Sequence, residues 1–356
     1  MTVPALTNLT AGWRRRGCCQ ALLALCWAGG ARAAQPLSAL PAPVRAANAP
    51  PPERSAGQWL ERLQRASRVP SYAGTFVVSS GGGVMDSARI WHVRDGNMQL
   101  ERVETLSGMP RAIFRRDDVV VTFLPRSRTV RTESAEHGAG APNLFAAGAV
   151  GSTADFYTAR QVGDGRVAGF DADIVQLTPR DNLRFGYRIW SEKRTGLAIK
   201  TQTLDQAGHV LEQAAFSELQ FGAPINAPAL RRMMERRHGY TVQKSERVRT
   251  SAEAEGWSLK SPIPGFRPHG CYRRAPAGEA TPAVQWIFSD GLATVSLFIE
   301  PFNAERHARE GAAVIGATHT LARRHPLAGA DWWITAVGEV PARTLQAFID
   351  SLERPA

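Results

Sequence analysis

The chain has 356 residues, a formal net charge of +11 and only four cysteines: Cys18, Cys19, Cys26 and Cys271. Three of these fall inside an N-terminal leader. The one that remains cannot form an internal disulfide, so hydrophobic cores must hold the fold and a disulfide-stapled scaffold is excluded. After the leader no segment has the long uncharged apolar run of a membrane-spanning helix, which excludes a helical integral membrane protein.

In chain order the leader comes first. Arg14, Arg15 and Arg16 precede a short apolar run from Cys18 to Trp27, and Ala31-Arg32-Ala33 offers the small-x-small pattern of a signal peptidase site. The run is too short for a stable anchor. A lipoprotein signal ending at Cys26 is the competing reading, but Leu25 stands where such a signal needs a small residue. Residues 1–33 are therefore expected to be a signal peptide cleaved near Ala33, and the mature protein to be exported and soluble, most simply in a bacterial periplasm. Their removal takes away Arg14, Arg15, Arg16 and Arg32 and no acids, so the charge goes from +11 to +7. A basic exported protein attracts anionic partners: lipid phosphates, acidic polysaccharide or an acidic protein segment. Nucleic acid is not expected in that compartment, and a solvated basic surface without a ligand is the bland alternative.

Residues 34–54, rich in Ala and Pro from Gln35 to Pro52, read as a disordered tether. Ser55 then makes an N-cap, with Trp59, Leu60 and Leu63 on one face of a short helix ending before Pro70. Strands follow. Thr75 to Ser79 is the first, broken by Gly81, Gly82 and Gly83. Arg89 to Val93 pairs across Asp95-Gly96 with Met98 to Leu106, and Val119 to Leu124 pairs with Thr129 to Thr132 around Pro125 to Arg128. Asn143 to Ser152 reads as a loop or short helix, Phe156 to Gln161 as the start of another helix, and Arg166 to Thr178 as strand.

The stretch from Arg184 to Phe221 carries the clearest pattern. Phe185, Tyr187 and Ile189 alternate with Arg184, Gly186 and Arg188, the period of a half-buried strand. A polar turn from Glu192 to Gly196 leads to Leu197 and Ile199, and a second from Asp205 to Gly208 precedes His209 to Phe216. The expectation is a three-stranded antiparallel meander, each turn closed by a Gly that tolerates positive φ.

Composition changes from Gly222 to Thr250, where Arg231, Arg232, Arg236, Arg237, Lys244, Arg247 and Arg249 face only Glu235 and Glu246. Residues 223–255 are expected to be a basic linker with one helical stretch near Pro228 to Arg237. A smaller unit, 256–356, follows. Val284 to Ser289 and Leu292 to Glu300 form a hairpin around Asp290-Gly291, Asp331 to Glu339 is a strand, and Pro341 opens a helix with Leu345, Phe348, Ile349 and Leu352 on one face. Two domains result, 55–222 and 256–356, each long enough to bury its own core.

Motifs for chemistry are missing from the sequence. No two of the eight histidines stand at i, i+3 or i, i+4, which disfavours zinc. Gly81-Gly82-Gly83 opens no helix that could cradle a phosphate, and Ser79 and Ser80 lie in no nucleophile elbow. Asp117-Asp118 suits a turn better than paired acid and base. Cys271 reads as a free, partly covered thiol. No enzyme activity and no cofactor are expected.

Four segments together carry a family resemblance: Tyr187 to Glu212 with the LDQAGHVLEQ stretch at 204–213, LSGMPR at 106–111, FSDGL at 288–292 and VGEVP at 337–341. From about Trp59 to Leu352 the chain resembles the MucB/RseB family, periplasmic regulators of the envelope-stress sigma factor. The resemblance implies a mainly β (α+β) fold. Its large N-terminal domain would be shaped like the lipoprotein carriers LolA and LppX, a half-closed antiparallel sheet covered by helices, with a smaller β-rich C-terminal domain closed by a helix. It also implies binding to the periplasmic part of a single-span anti-sigma factor (RseA or MucA), protection of that part from the site-1 protease, release by lipid or lipopolysaccharide fragments, and self-association. The Ala/Pro tether and the Arg-dense linker are not hallmarks of the family.

Three sets of candidate residues follow. Phe76, Trp91, Phe123, Ile189 and Phe216 are chosen by strand position as the lining of an acyl-chain cavity, with ordinary core packing as the competing reading. Trp286, Phe288, Ser289, Asp290 and Gly291 form the candidate partner-facing element, against a plain turn. Arg231, Arg232, Arg236 and Arg237 form the candidate anion-binding strip, against a spacer. A lipid or lipoprotein carrier is the alternative to a regulatory binding protein, and a polysaccharide-processing enzyme a third possibility lacking any visible acid–base pair.

Overall fold

Ser55 opens the described chain with a reciprocal cap. Its hydroxyl accepts from the Gln58 N–H (3.3 Å) while Gln58 Oε1 accepts from the Ser55 N–H (2.8 Å), so the expected cap is also a capping box. The helix it starts, α1 (Ala56–Ala66), buries Trp59, Leu60, Leu63 and Ala66. The computed structural model describes residues 54–66, 69–96, 98–117, 119–134, 153–244, 247–274, 283–307, 309–327 and 329–354. The expected signal peptide, the tether before Arg54, the segment Asn143 to Ser152, and Asp118 lie outside the described residues.

Twelve strands make the first sheet: β1 (Ser71–Ser80), β2 (Met85–Asp95), β3 (Met98–Thr105), β4 (Ala112–Arg116), β5 (Val119–Leu124), β6 (Thr129–Ser134), β7 (Tyr157–Val167), β8 (Phe170–Pro179), β9 (Gly186–Glu192), β10 (Ala198–Leu204), β11 (Val210–Phe221) and β12 (Thr241–Lys244). Their order is β12-β6-β5-β4-β3-β2-β1-β11-β10-β9-β8-β7. All neighbours are antiparallel except β12 and β6. The hairpins foreseen at Asp95-Gly96 and Pro125 to Arg128 are present, closed by the pairs Asp95/Met98 and Leu124/Thr129. The meander is β9-β10-β11, and Gly196 and Gly208 take φ of 81° and 85°.

Three local expectations change. Phe156 to Gln161 is not a helix: Tyr157 to Gln161 belong to β7, because Tyr157, Ala159 and Gln161 face Pro179, Leu177 and Val175 at a spacing of two. The single strand expected from Arg166 to Thr178 is two, split where Ala168 and Gly169 take φ of 49° and 85°. The helical stretch expected within 222–250 is α2 (Ala227–Glu235), capped by Asn226 Oδ1 accepting from the Ala229 N–H (2.9 Å), but the same linker also holds two unexpected strands, β12 and β13 (Arg247–Thr250). Leu230 and Met234 of α2 pack on Leu100, Phe114, Val121, Phe123 and Val130.

Strand register sorts side chains onto two faces. The ladder Val78, Ala214, Thr201, Ile189, Val175 crosses one face; the ladder Thr75, Arg89, Glu104, Ala112, Phe123 crosses the other. α1 lies on the first face, against Tyr157, Val175, Leu177, Tyr187 and Ile189, and α2 on the second. The sheet is strongly coiled: Phe170 of β8 meets Phe221 of β11 edge-on at 4.9 Å although two strands separate them in the ladder.

The second sheet has seven strands in the order β13-β15-β16-β17-β20-β19-β18, comprising β15 (Arg267–Arg274), β16 (Ala283–Ser289), β17 (Thr294–Pro301), β18 (Gly311–Ile315), β19 (Thr318–Leu327), β20 (Ala330–Gly338) and β13. A short bridge joins β14 (Ser258–Leu259) to β21 (Leu352–Glu353). The hairpin around Asp290-Gly291 and the strand near Asp331 to Glu339 are as the sequence indicates. α3 (Ala342–Ser351) buries Leu345, Phe348 and Ile349 with Trp257, Phe266, Phe288 and Leu297. Among the described residues no helix is long and apolar enough to cross a membrane.

Candidate functional site: the clasp between the two sheets

Arg184 lies in the loop before β9 and has no solvent exposure at all. A guanidinium taken out of water must be paired and fully hydrogen-bonded, and this one is. Nε donates to Asp290 Oδ2 (2.7 Å), Nη1 to Asp181 and Nη2 to the Pro264 carbonyl. The guanidinium also lies over the rings of Phe156 (4.3 Å) and Phe266 (4.9 Å). Asp290 is buried too. Its Oδ1 accepts from the N–H groups of Leu292 (2.9 Å) and Ala293 (2.7 Å), and Oδ2 from the Tyr157 hydroxyl (3.3 Å). Burial pushes the Asp290 carboxyl up, against the pull of those amides and of Arg184. Burial, then the Asp290 charge, raises the Tyr157 phenol.

Backbone shape makes room for this pair. The Thr153 hydroxyl donates to the Asp290 carbonyl (2.7 Å). A Cβ on Gly291 (φ +96°) would strike that hydroxyl, and one on Gly265 (φ +79°) would strike the Arg184 guanidinium. Both positions need glycine for conformation and for space.

Three further contacts extend the clasp. The Thr344 hydroxyl donates to the Leu183 carbonyl (2.7 Å), and Phe185 meets His319 at 5.6 Å, whose Nδ1 donates to the Val340 carbonyl (2.7 Å). Ala317 N–H donates to Glu212 Oε2 (3.5 Å), and a Cβ on Gly316 would run into that carboxylate. Burial raises the Glu212 carboxyl; burial, then the Glu212 charge, raises that of Glu339. Three of the four family-bearing segments, 204–213, 288–292 and 337–341, therefore meet at one junction. The fourth, 106–111, is the exposed β3–β4 loop, tied back by the Leu106 N–H to the Ser87 carbonyl (2.8 Å).

The candidate sets fare differently. Phe76 and Phe216 touch edge-on at 6.2 Å and share a face with Ile189, whereas Trp91 and Phe123 stand on the opposite face, in the α2 cluster. The five do not line one cavity, because strand position without register leaves the face undetermined. Trp91 is half-buried between Arg89 (5.4 Å) and Arg102 (4.7 Å). Trp286 and Phe288 belong to the C-terminal core, Asp290 and Gly291 meet Arg184 and Thr153 of the N-terminal region, and the Ser289 hydroxyl stays within its own hairpin, donating to the Ala293 carbonyl (3.0 Å). Of the strip, Arg231 approaches Asp95 (3.7 Å), Arg232 and Arg236 are exposed and Arg237 is half-buried. Cys271 is buried, which pushes its thiol up to about 11. Among the described residues no group of acids, histidines and cysteines is placed to hold a metal ion.

Sequence reasoning passed over the clasp. Arg184 sits inside the apolar window Leu183 to Tyr187, and a charge in such a window is the one signal that pointed to a buried pair.

Together these features define a mainly β protein with few helices, whose two large sheets are joined by a buried polar clasp. The chain belongs to the MucB/RseB family: residues 55–234 match the MucB/RseB N-terminal domain and residues 251–353 the MucB/RseB C-terminal domain. It is 30% identical over 306 residues to the sigma factor AlgU regulatory protein MucB of Pseudomonas aeruginosa, covering 85% of this chain and 92% of that one. It is 24% identical over 313 residues to the sigma-E factor regulatory protein RseB of Escherichia coli, covering 84% and 91%. Among solved structures, MucB in the Pseudomonas aeruginosa MucA/MucB complex superposes with a TM-score of 0.66 at 27% identity, over 85% of this chain and 99% of that one. A crystal structure of MucB gives 0.58 at 25% identity, over 84% and 98%.

Proposed function

We propose that this protein is a periplasmic regulator that binds the periplasmic part of a single-span anti-sigma factor, shields it from the site-1 protease, and lets go when lipid or lipopolysaccharide fragments arrive. The observation that carries this is the likeness, across both domains, to MucB as it is found in complex with MucA. The large domain, on this reading, is a LolA-like sheet whose helix-covered face responds to acyl chains. The excess of basic residues suits an acidic segment or a lipid phosphate. The test is the rate at which the site-1 protease cuts the periplasmic segment of the anti-sigma factor from the same genome, with and without this protein. Slower cutting is expected, relieved by lipopolysaccharide; equal rates reject the reading. Protein that arrives carrying acyl chains yet has no affinity for the segment would be a lipid or lipoprotein carrier instead.

A further inference from the structure

Open sheets end in strands with unpaired N–H and C=O groups, and proteins guard those edges with charge, proline or bulges. Two of the four edges of the two large sheets are guarded in this way: β7 carries Arg160, Asp164 and Arg166 and a bulge between Gln161 and Gly163, and β13 holds Arg247 and Arg249. β18 has none of these. Its residues, Gly311, Ala312, Ala313, Val314 and Ile315, are all exposed, Val314 at 61% and Ile315 at 58%, and among the described residues it pairs only with β19.

Register tells which groups are on offer. Ile315 pairs with Thr318 across the two-residue turn Gly316-Ala317, with Gly316 at φ 58°. In such a hairpin the pair flanking the turn is hydrogen-bonded and the next pair is not. Ile315 and Ala313 thus direct their N–H and C=O groups at β19, and Val314 and Ala312 direct theirs outward. The edge also reaches the other domain. Gly316 sits against Ser80 and Glu212, and the exposed Val84 (45%), Met85 (68%) and Val210 (41%) lie at that end of β1, β2 and β11. Met85 and Val210 stand on the face opposite Ser80 and Glu212, the pair that Gly316 meets, so the strand edge and not a shared apolar surface is what β18 presents.

We propose that β18 is the docking edge for the anti-sigma segment, which adds in extended form as an eighth strand to the C-terminal sheet. This rests on the function proposed above. Charge selects the occupant: with a formal net charge of +7 once residues 1–33 are removed, a second copy brings like charge to the edge, whereas an acidic segment brings the opposite sign. Main-chain pairing supplies affinity.

The decisive variant is Val314→Pro, which deletes an outward N–H that β19 does not use; Val314→Thr keeps it. The probe is the purified periplasmic segment of the anti-sigma factor from the same genome. Val314→Pro should weaken its binding roughly tenfold or more, and Val314→Thr about twofold at most. In amide exchange of the unsubstituted protein, Ala312 and Val314 should exchange freely alone and become protected by the segment, while Ala313 and Ile315 are protected throughout. Folded Val314→Pro that binds equally well, or wild-type exchange at Ala312 and Val314 unchanged by the segment, overturns the edge assignment and leaves the function standing. No binding by the unsubstituted protein sinks the function itself. A dimer lost in Val314→Pro with segment affinity intact gives the edge to a second copy and overturns the proposal. Should Val314→Pro fail to fold, the exchange measurement decides alone.

Discussion

Arg184 concentrates the residue-scale physics of the molecule. Deleting one member of a buried ion pair strands the other, at a cost of about 3–5 kcal/mol, whereas replacing both with apolar groups of similar volume is often neutral. Arg184→Met should therefore lower stability to urea by about that amount, and the double change Arg184→Met, Asp290→Leu should recover most of it; equal losses in single and double variants would mean the pair is not coupled. Alternation in the sequence sets Arg184 opposite Phe185, but β9 begins only at Gly186, and face parity has no force in the loop before it. A second residue-scale prediction concerns Cys271. With its thiol pushed up to about 11, the folded protein at pH 8 holds it almost wholly protonated and covered. Ellman's reagent should label it only as the protein unfolds in urea, read by mass spectrometry of the peptide that carries it. Rapid native labelling would contradict the burial.

At the scale of elements, α2 shows how composition hides structure. It lies in an Arg-dense stretch and carries Arg231 and Arg232 itself, yet Ala227, Leu230 and Met234, three and four apart, make a buried stripe. Leu230→Ala is expected to cost about 2–4 kcal/mol through the cavity left over Leu100 and Phe114, and Asn226→Ala about 1 kcal/mol through the lost cap, both read by urea unfolding. A spacer would tolerate each change. Exposed on the other side are Arg232 and Arg236; replacing both with Ser should weaken lipopolysaccharide binding and flatten its salt dependence while leaving the urea midpoint in place. Unchanged binding would return them to a solvated face. β7 escaped sequence reading because Tyr157 to Val167 is rich in Gly and charge, and its strand character comes from β8, which offers it a ladder.

Across the whole molecule, Glu212 and Glu339 make the clasp sensitive to pH. Both carboxyls are raised in the folded protein, chiefly by burial. Between the ordinary glutamate value, about 4.3, and the raised ones, the folded state binds more protons than the unfolded state. Stability from these two groups therefore falls as pH rises through that window and is regained on acidification. Glu339→Gln should raise the urea midpoint at pH 7.5 and reduce its rise between pH 7.5 and 5 relative to the unsubstituted protein. An identical pH profile would show that the two carboxylates are solvated.

Turn chemistry, the Ser55 cap and the C-terminal helix were legible in the sequence because each rests on residues close together in the chain: Ser55 before its helix, Asp95-Gly96, Gly196, Gly208, Asp290-Gly291, and the stripe from Leu345 to Ile349. Four short segments also sufficed to point to the family, since likeness is a property of the string itself. Only the tertiary structure decided which face each strand residue occupies, as that follows from register accumulated over many strands, and it parted Trp91 and Phe123 from Phe76, Ile189 and Phe216. It alone decided that the Asp290 turn closes on the other domain. Burying a charge requires partners of opposite sign within hydrogen-bond reach, and of the two carboxylates that meet Arg184 the fully buried one, Asp290, lies 106 residues away along the chain.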